Sequence, residues 1–128
     1  MFNLDNKVAV ITGSSKGIGK SIATAMALQG AKVIISSRKA DVCEQTAAEI
    51  NDLCKDGIGE AFVIPCNISD KSSLENLINK TREKYNQIDI LVCNAASNPF
   101  FGSLKDIPDD AFEKIMNNNI KSNHNLCQ

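Results

Sequence analysis

The segment that most constrains the fold is residues 7–19, KVAVITGSSKGIG. Val8 to Ile11 is an apolar run of the length expected for a strand buried on both faces, and Thr12-Gly13 breaks it. The next segment has helical spacing: Ile18, Ile22 and Met26 recur every fourth residue, Ala23 and Ala27 lie beside them, and Gly30 stands at the C′ position. Gly13 can take backbone angles closed to other residues, while Gly17 and Gly19 leave room for a pyrophosphate to approach the backbone. Unpaired N–H groups at the helix start, with the macrodipole behind them, favour that anion. A glycine-rich turn between a buried strand and an amphipathic helix predicts dinucleotide binding.

The remainder of the chain repeats the alternation. Lys32–Ser36 (KVIIS) reads as a second strand, completing a right-handed βαβ unit. Residues 41–55 read as a helix with Val42, Ala47, Ile50 and Leu53 on one face, ended by Asp56-Gly57. Residues 61–65 form a third strand. Residues 69–85 form a third helix, with Leu74, Leu77, Ile78 and Thr81 facing inward and either Ser69 or a Ser72/Glu75 capping box at its start. Residues 88–94 (IDILVCN) form a fourth strand, and a fourth helix begins near Pro108 with Phe112, Ile115 and Met116 on its inner face. The fold class is therefore α/β, a Rossmann-type parallel sheet with helices on both faces and strand order 3-2-1-4. There is no repeat, linker or low-complexity segment, so the 128 residues make about one domain.

Composition excludes several function classes. A net charge of −1 with interspersed signs argues against a nucleic-acid or membrane-surface partner. No apolar run approaches a membrane span, and Asp5 precedes the first hydrophobic stretch, unlike a signal peptide. Cys43, Cys54, Cys66, Cys93 and Cys127 are odd in number and contain no CxxC pair, which suits free thiols in a reducing compartment. A cytoplasmic location is expected.

The TGxxxGxG spacing from Thr12 to Gly19 resembles the short-chain dehydrogenase/reductase family, and the likeness runs along nearly the whole chain. Residues 88–103, IDILVCNAASNPFFGS, look especially like its NADP-dependent carbonyl reductase and retinol-dehydrogenase-like branch. The resemblance implies cofactor contacts from Gly13, Ser15, Lys16, Gly17, Ile18 and Gly19 in the turn, Arg38 and Lys39 after the second strand, Asn67 after the third, and Asn94 and Ala95 after the fourth. Position 38 decides the cofactor. An acidic residue there would bond the ribose hydroxyls of NAD, whereas arginine pairs with the 2′-phosphate of NADP, and Lys16 adds a second cation. The alternative is that Arg38 and Lys39 are solvated surface charges.

Several positions depart from the family pattern. Asn67 stands where many relatives carry aspartate, and Ala96 replaces a glycine of the NNAG stretch. The resemblance also places Asn119 in the proton relay, as an asparagine that bends the fourth helix; alternatively residues 117–119 fray a helix end. Asn98, Pro99, Phe100, Phe101 and Gly102 would lie beside the nicotinamide, with Phe100 or Phe101 either lining a substrate pocket or simply packing.

Reduction of a carbonyl requires an acid, and the family supplies a tyrosine four residues before a lysine. Here the only tyrosine is Tyr85 and position 89 is Asp89. His124 is the sole histidine, and no metal-ligand or Ser/His/Asp cluster offers another chemistry. The resemblance thus implies the N-terminal, NADP(H)-binding half of a longer single-domain oxidoreductase acting on a small carbonyl or alcohol. The longer form is expected to be a homo-oligomer, and a peroxisomal signal in it would lie beyond Gln128. As half an enzyme it would leave its fourth strand as an uncovered, aggregation-prone edge. The rival reading is a non-catalytic nucleotide-binding or regulatory module complete at 128 residues.

Overall fold

A computed structural model describes residues 3–98 and 100–128. Its elements in chain order are β1 (Val8–Thr12), α1 (Gly17–Leu28), β2 (Lys32–Ser36), α2 (Ala40–Leu53), β3 (Glu60–Val63), α3 (Lys71–Tyr85) and β4 (Ile90–Val92). A single 3-10 turn (Leu104–Asp106) leads into α4 (Asp109–Met116), a π-helical turn (Asn117–Lys121) and α5 (Ser122–Cys127). All four strands are parallel, in the order β3-β2-β1-β4. Thr12 pairs with Ser36 at the carboxyl end of the sheet, so the turns after β1 and β2 emerge side by side.

Two cores sandwich the sheet, as alternation along a doubly covered strand requires. Ala9, Ile11, Val33 and Ile35 point to the side covered by Ala23 and Ala27 of α1 and by Cys43, Ala47 and Ile50 of α2. Val10 and Ile34 point to the other side, under Leu74 and Leu77 of α3 and Leu126 of α5.

Three details of the expected packing are corrected. In α1 the expected Ala23 and Ala27 are buried and Ile22 and Met26 pack partly buried against the core, but Ile18 is 74% exposed and Gly19 takes the inner position, because small side chains let the helix lie close to the sheet. In α2 the inner positions include Cys43 and Thr46, and Leu53 faces solvent. In α4, Phe112 and Met116 are exposed. Helix α3 is capped by neither Ser69 nor Ser72: the Asp70 carboxylate accepts from the Ser72 N–H at 3.0 Å.

The far end of the sheet accounts for Tyr85. Its hydroxyl donates to Glu60 Oε1 at 2.7 Å, at the amino end of β3 and so opposite the glycine turn. Asp89 is a strand pin: its carboxylate accepts from the Val8 N–H at 2.9 Å, and its own N–H donates to the Val8 carbonyl. Burial, with the adjacent Glu60, pushes the phenol pKa of Tyr85 well upward. A phenol whose pKa is raised by folding contributes stability that is intact below the unfolded value of about 10 and is lost as pH rises beyond it. Thermal unfolding followed from pH 9 to pH 11 should therefore show a falling Tm, and Tyr85→Phe should flatten that fall; an unchanged slope would remove Tyr85 as its source.

Candidate cofactor site

The site lies at the carboxyl ends of the strands, where β1 stands between β2 and β4 and the direction of sheet growth reverses, the usual crevice for a ligand in an open α/β sheet. The turn after β1 is tied down on three sides. Ser14 Oγ donates to the Ile11 carbonyl at 2.7 Å and accepts from the Ser36 N–H at 2.8 Å. Thr46 of α2 reaches across to donate to the Ser15 carbonyl at 2.6 Å. From the β4 side, Asn94 Nδ2 donates to the Gly13 carbonyl at 3.1 Å. The conformation of the turn is thus set before any ligand arrives.

Gly17 has φ +62°, in the left-handed region, and a Cβ built there meets nothing within 4 Å. Open space therefore faces the first residue of α1. Gly19 is the reverse case: a Cβ would lie 2.3 Å from the Gly13 carbonyl oxygen, so glycine is needed for helix and turn to touch. No side chain caps the start of α1 and its first turn holds no acid, so the N–H groups of Gly17, Ile18 and Gly19 have neither an intrahelical acceptor nor a side-chain cap. These donors fit a pyrophosphate.

Lys16, Arg38 and Lys39 are exposed at the same end of the sheet. Among the described residues the one ion pair is Lys20 with Glu49, 2.5 Å apart, so none of the three cations is committed to a carboxylate. Asn67 is partly used by the fold: its Oδ1 accepts from the N–H and hydroxyl of Ser69, 3.1 and 2.6 Å away, closing a turn ahead of α3. Its Nδ2 donates to no other described residue. Asn94 and Ala95 both donate their N–H groups to Thr12 Oγ1, at 3.1 and 3.0 Å. That hydroxyl in turn donates to the Val92 carbonyl at 3.4 Å, so Thr12 locks the end of β4 to the end of β1.

The asparagine run is not a frayed end. It is a π-helical turn in the middle of a continuous helix. Asn119 makes a two-point clasp on Ser97, accepting from its N–H at 2.8 Å and donating to its carbonyl at 2.9 Å. Asn118 is buried and donates to Ser97 Oγ at 2.8 Å, while Asn117 reaches the Ser69 carbonyl at 3.3 Å. The wide turn brings two successive amides onto one loop, a use to which π bulges are often put. The Asn119 carbonyl accepts from Asn123 Nδ2 at 3.0 Å. His124 is exposed, and among the described residues its ring hydrogen-bonds only with the Gln128 side chain. Phe101 is fully exposed and Phe100 half-buried; Pro99, also expected beside the nicotinamide, lies outside the described residues.

The parts are a pre-set glycine turn, an uncapped helix start, uncommitted cations after β2 and a loop clasped by asparagines. A family model for short chain dehydrogenase matches residues 7–128. The chain belongs to the short-chain dehydrogenase/reductase family. Over 125 residues it is 38% identical to the short-chain dehydrogenase/reductase SDRA of Arabidopsis thaliana, covering 98% of this chain and 48% of that protein. The crystal structure of a hydroxysteroid dehydrogenase from Escherichia coli superposes with a TM-score of 0.88 at 35% identity, over 98% of this chain and 51% of the other. An NADP active-site complex of RhlG from Pseudomonas aeruginosa superposes with a TM-score of 0.87 at 31% identity, over 98% and 47%. The chain thus spans about half the length of the relatives it matches. Members of the family are oxidoreductases that use nicotinamide cofactors and act on small molecules. None of the helices described is long and apolar enough to cross a membrane.

Ser14 and Thr46 carry no sequence signal, and Thr12, Ser97 and Asn118 lie in stretches the sequence marks but without the bracing roles the structure shows. Their partners are distant in sequence, and hydroxyl or amide residues beside a turn carry no periodic signal. The one available clue was polarity at positions the strand and helix patterns mark as inward.

Proposed function

We propose that this chain is the cofactor-binding half of an NADP(H)-dependent oxidoreductase acting on a small carbonyl or alcohol. The observation that carries the reading is the uncapped start of α1 behind Gly17, beside exposed cations that have no carboxylate partner. When bound, the nicotinamide supplies or accepts the hydride. The N–H groups of Gly17, Ile18 and Gly19 hold the pyrophosphate, with the α1 dipole adding attraction. Arg38 would offer a planar fork of donors to the 2′-phosphate, Lys16 and Lys39 would add charge, and Asn67 Nδ2 would supply a donor for the adenine. Ser15 and Ala95 frame the crevice, and Asn94 holds the turn in shape from below.

Asn119 is read as part of the proton relay, clasping the Ser97 loop from the π turn between α4 and α5. Without a Tyr-x-x-x-Lys pair in its 128 residues, the chain alone is expected not to turn over. The exposed apolar stripe of Phe112, Met116 and Ile120 supports self-association in the longer enzyme. The free thiols suit the cytoplasm.

The test is thermal unfolding of the chain with NADPH and with NADH, since a ligand bound only by the folded state raises Tm. NADPH should stabilise more than NADH, and Arg38→Asp should shift the relative affinity by about tenfold toward NADH through loss of one charge-assisted contact. Equal stabilisation by both, unaltered in the variant, would leave a nicotinamide site without NADP preference. No stabilisation by either would favour the non-catalytic module.

A further inference from the structure

The π turn is gripped from two sides. Toward the loop after β3, Asn117 Nδ2 donates to the Ser69 carbonyl at 3.3 Å, and the buried Ser122 hydroxyl lies within donating reach of the Ile68 carbonyl and of the Asn117 carbonyl, the latter at 2.8 Å. Toward the loop after β4, Asn119 takes both backbone polar groups of Ser97, and Asn118 donates to Ser97 Oγ at 2.8 Å. Asn118 is 5% exposed, and its Oδ1 accepts from Asn117 Nδ2 at 3.3 Å. A buried amide is costly unless its polar atoms find partners, and the one described partner of Asn118 outside the turn is Ser97.

The loop after β4 is thus held separately at two places. At its inner end, Thr12 takes the N–H groups of Asn94 and Ala95. Farther out the hold is at Ser97, where Asn119 fixes the backbone and Asn118 fixes the side chain. The division matters for a dinucleotide. With the pyrophosphate at the start of α1 and the adenosine half toward the cations after β2, the other half must cross to the β4 side, because a dinucleotide spans the point where the strand order reverses. That half meets the outer end of this loop.

We propose that Asn118 is a positioning residue for the nicotinamide half of the cofactor: through Ser97 Oγ it fixes the outer end of the loop after β4 against a turn that the loop after β3 holds from the other side. Neither side chain need touch the cofactor. Loss of the bond frees the outer end of the loop while Thr12 keeps Asn94 and Ala95 in place, so the effect falls on one half of the ligand. The inference rests on the cofactor reading above and adds to it the pair of side chains that sets the nicotinamide end independently of the adenine end.

The test compares ligands that differ only in the nicotinamide ring, NADPH against 2′-phospho-ADP-ribose and NADH against ADP-ribose, by titration calorimetry on the natural chain, Ser97→Ala, Asn118→Ala, the double variant and Ser97→Thr. The dinucleotide should bind the natural chain more tightly than its ring-free counterpart. Each alanine variant should lose about fivefold in dinucleotide affinity, the effect of one hydrogen bond, and bind the ring-free ligand as before. The double variant should lose no more than either single one, as partners in one bond do, and Ser97→Thr, which keeps the hydroxyl, should bind both ligands like the natural chain. Variants that weaken both ligands alike, variants that leave dinucleotide affinity unaltered, or a natural chain for which the ring adds no affinity would each overturn the proposal and leave the cofactor reading standing. A natural chain that binds none of the four ligands would overturn the cofactor reading and this inference with it. Should Asn118→Ala fail to fold, Ser97→Ala, a change in a half-buried loop, decides the result.

Discussion

Gly19→Ala should destabilise the chain by about 3 kcal/mol, roughly 10 °C in Tm, and abolish its stabilisation by NADPH. The added methyl would lie 2.3 Å from the Gly13 carbonyl oxygen and 2.9 Å from the Gly13 carbonyl carbon, both backbone atoms of a turn tied at Ser14, Ser15 and Gly13 itself. Its other close neighbour, Asn94 Nδ2 at 2.6 Å, is a side chain that can swing away, but only by giving up its bond to Gly13. Helix α1 must therefore lift from the sheet or the turn must distort, and either change disperses the N–H groups that converge at the helix start. Gly17→Ala is the control. Nothing lies within 4 Å of its Cβ position, so the cost there is that of a left-handed residue without glycine, about 1 kcal/mol. If the two variants melt alike, close approach at Gly19 is not what the fold requires.

The same pair of glycines shows what was legible in the sequence. Strand, turn and helix announce themselves locally, because apolar runs of strand length and breaks at glycine are properties of adjacent residues. Strand order followed from them, since right-handed crossovers leave few ways to arrange four parallel strands. The buried faces were less legible. Ile18, Ile22 and Met26 keep helical spacing, yet the line nearest the sheet is Gly19, Ala23 and Ala27, where small size matters more than hydrophobicity. Phe112 and Met116 read as an inner face by the same rule and are exposed, because an apolar stripe reports a surface to be covered without saying by what.

At the site, the charges and glycines were visible and the struts were not. Lys16 is conspicuous inside the glycine turn and Arg38 directly after the second strand, with no acid before Asp41. The asparagine run was visible as three amides, but their registers became distinct only when the π turn sent Asn118 and Asn119 to Ser97 and Asn117 to Ser69.

Thr12 is the strut with the largest consequence. Its hydroxyl is buried, accepts from the N–H groups of Asn94 and Ala95 and donates to the Val92 carbonyl. Valine has nearly the same shape, so Thr12→Val leaves packing in place and removes only the oxygen. Two part-buried donors then lose their acceptor, and desolvated N–H groups cost about 1–3 kcal/mol each, so a loss of about 3 kcal/mol is expected after some relaxation. Thr12→Ser keeps the oxygen and gives up one methyl, a cost of about 1 kcal/mol. The order of stability should be natural chain, then serine, then valine, the reverse of what hydrophobic burial alone would give for valine and serine. Asn94 donates to the hydroxyl through its backbone and holds Gly13 through its side chain. Loosening that backbone in Thr12→Val should therefore also shrink the NADPH-induced rise in Tm, while Thr12→Ser retains it. A valine variant as stable as the natural chain would mean that water or a shifted carbonyl satisfies both N–H groups, and that β4 does not depend on Thr12 to stay in register with the glycine turn.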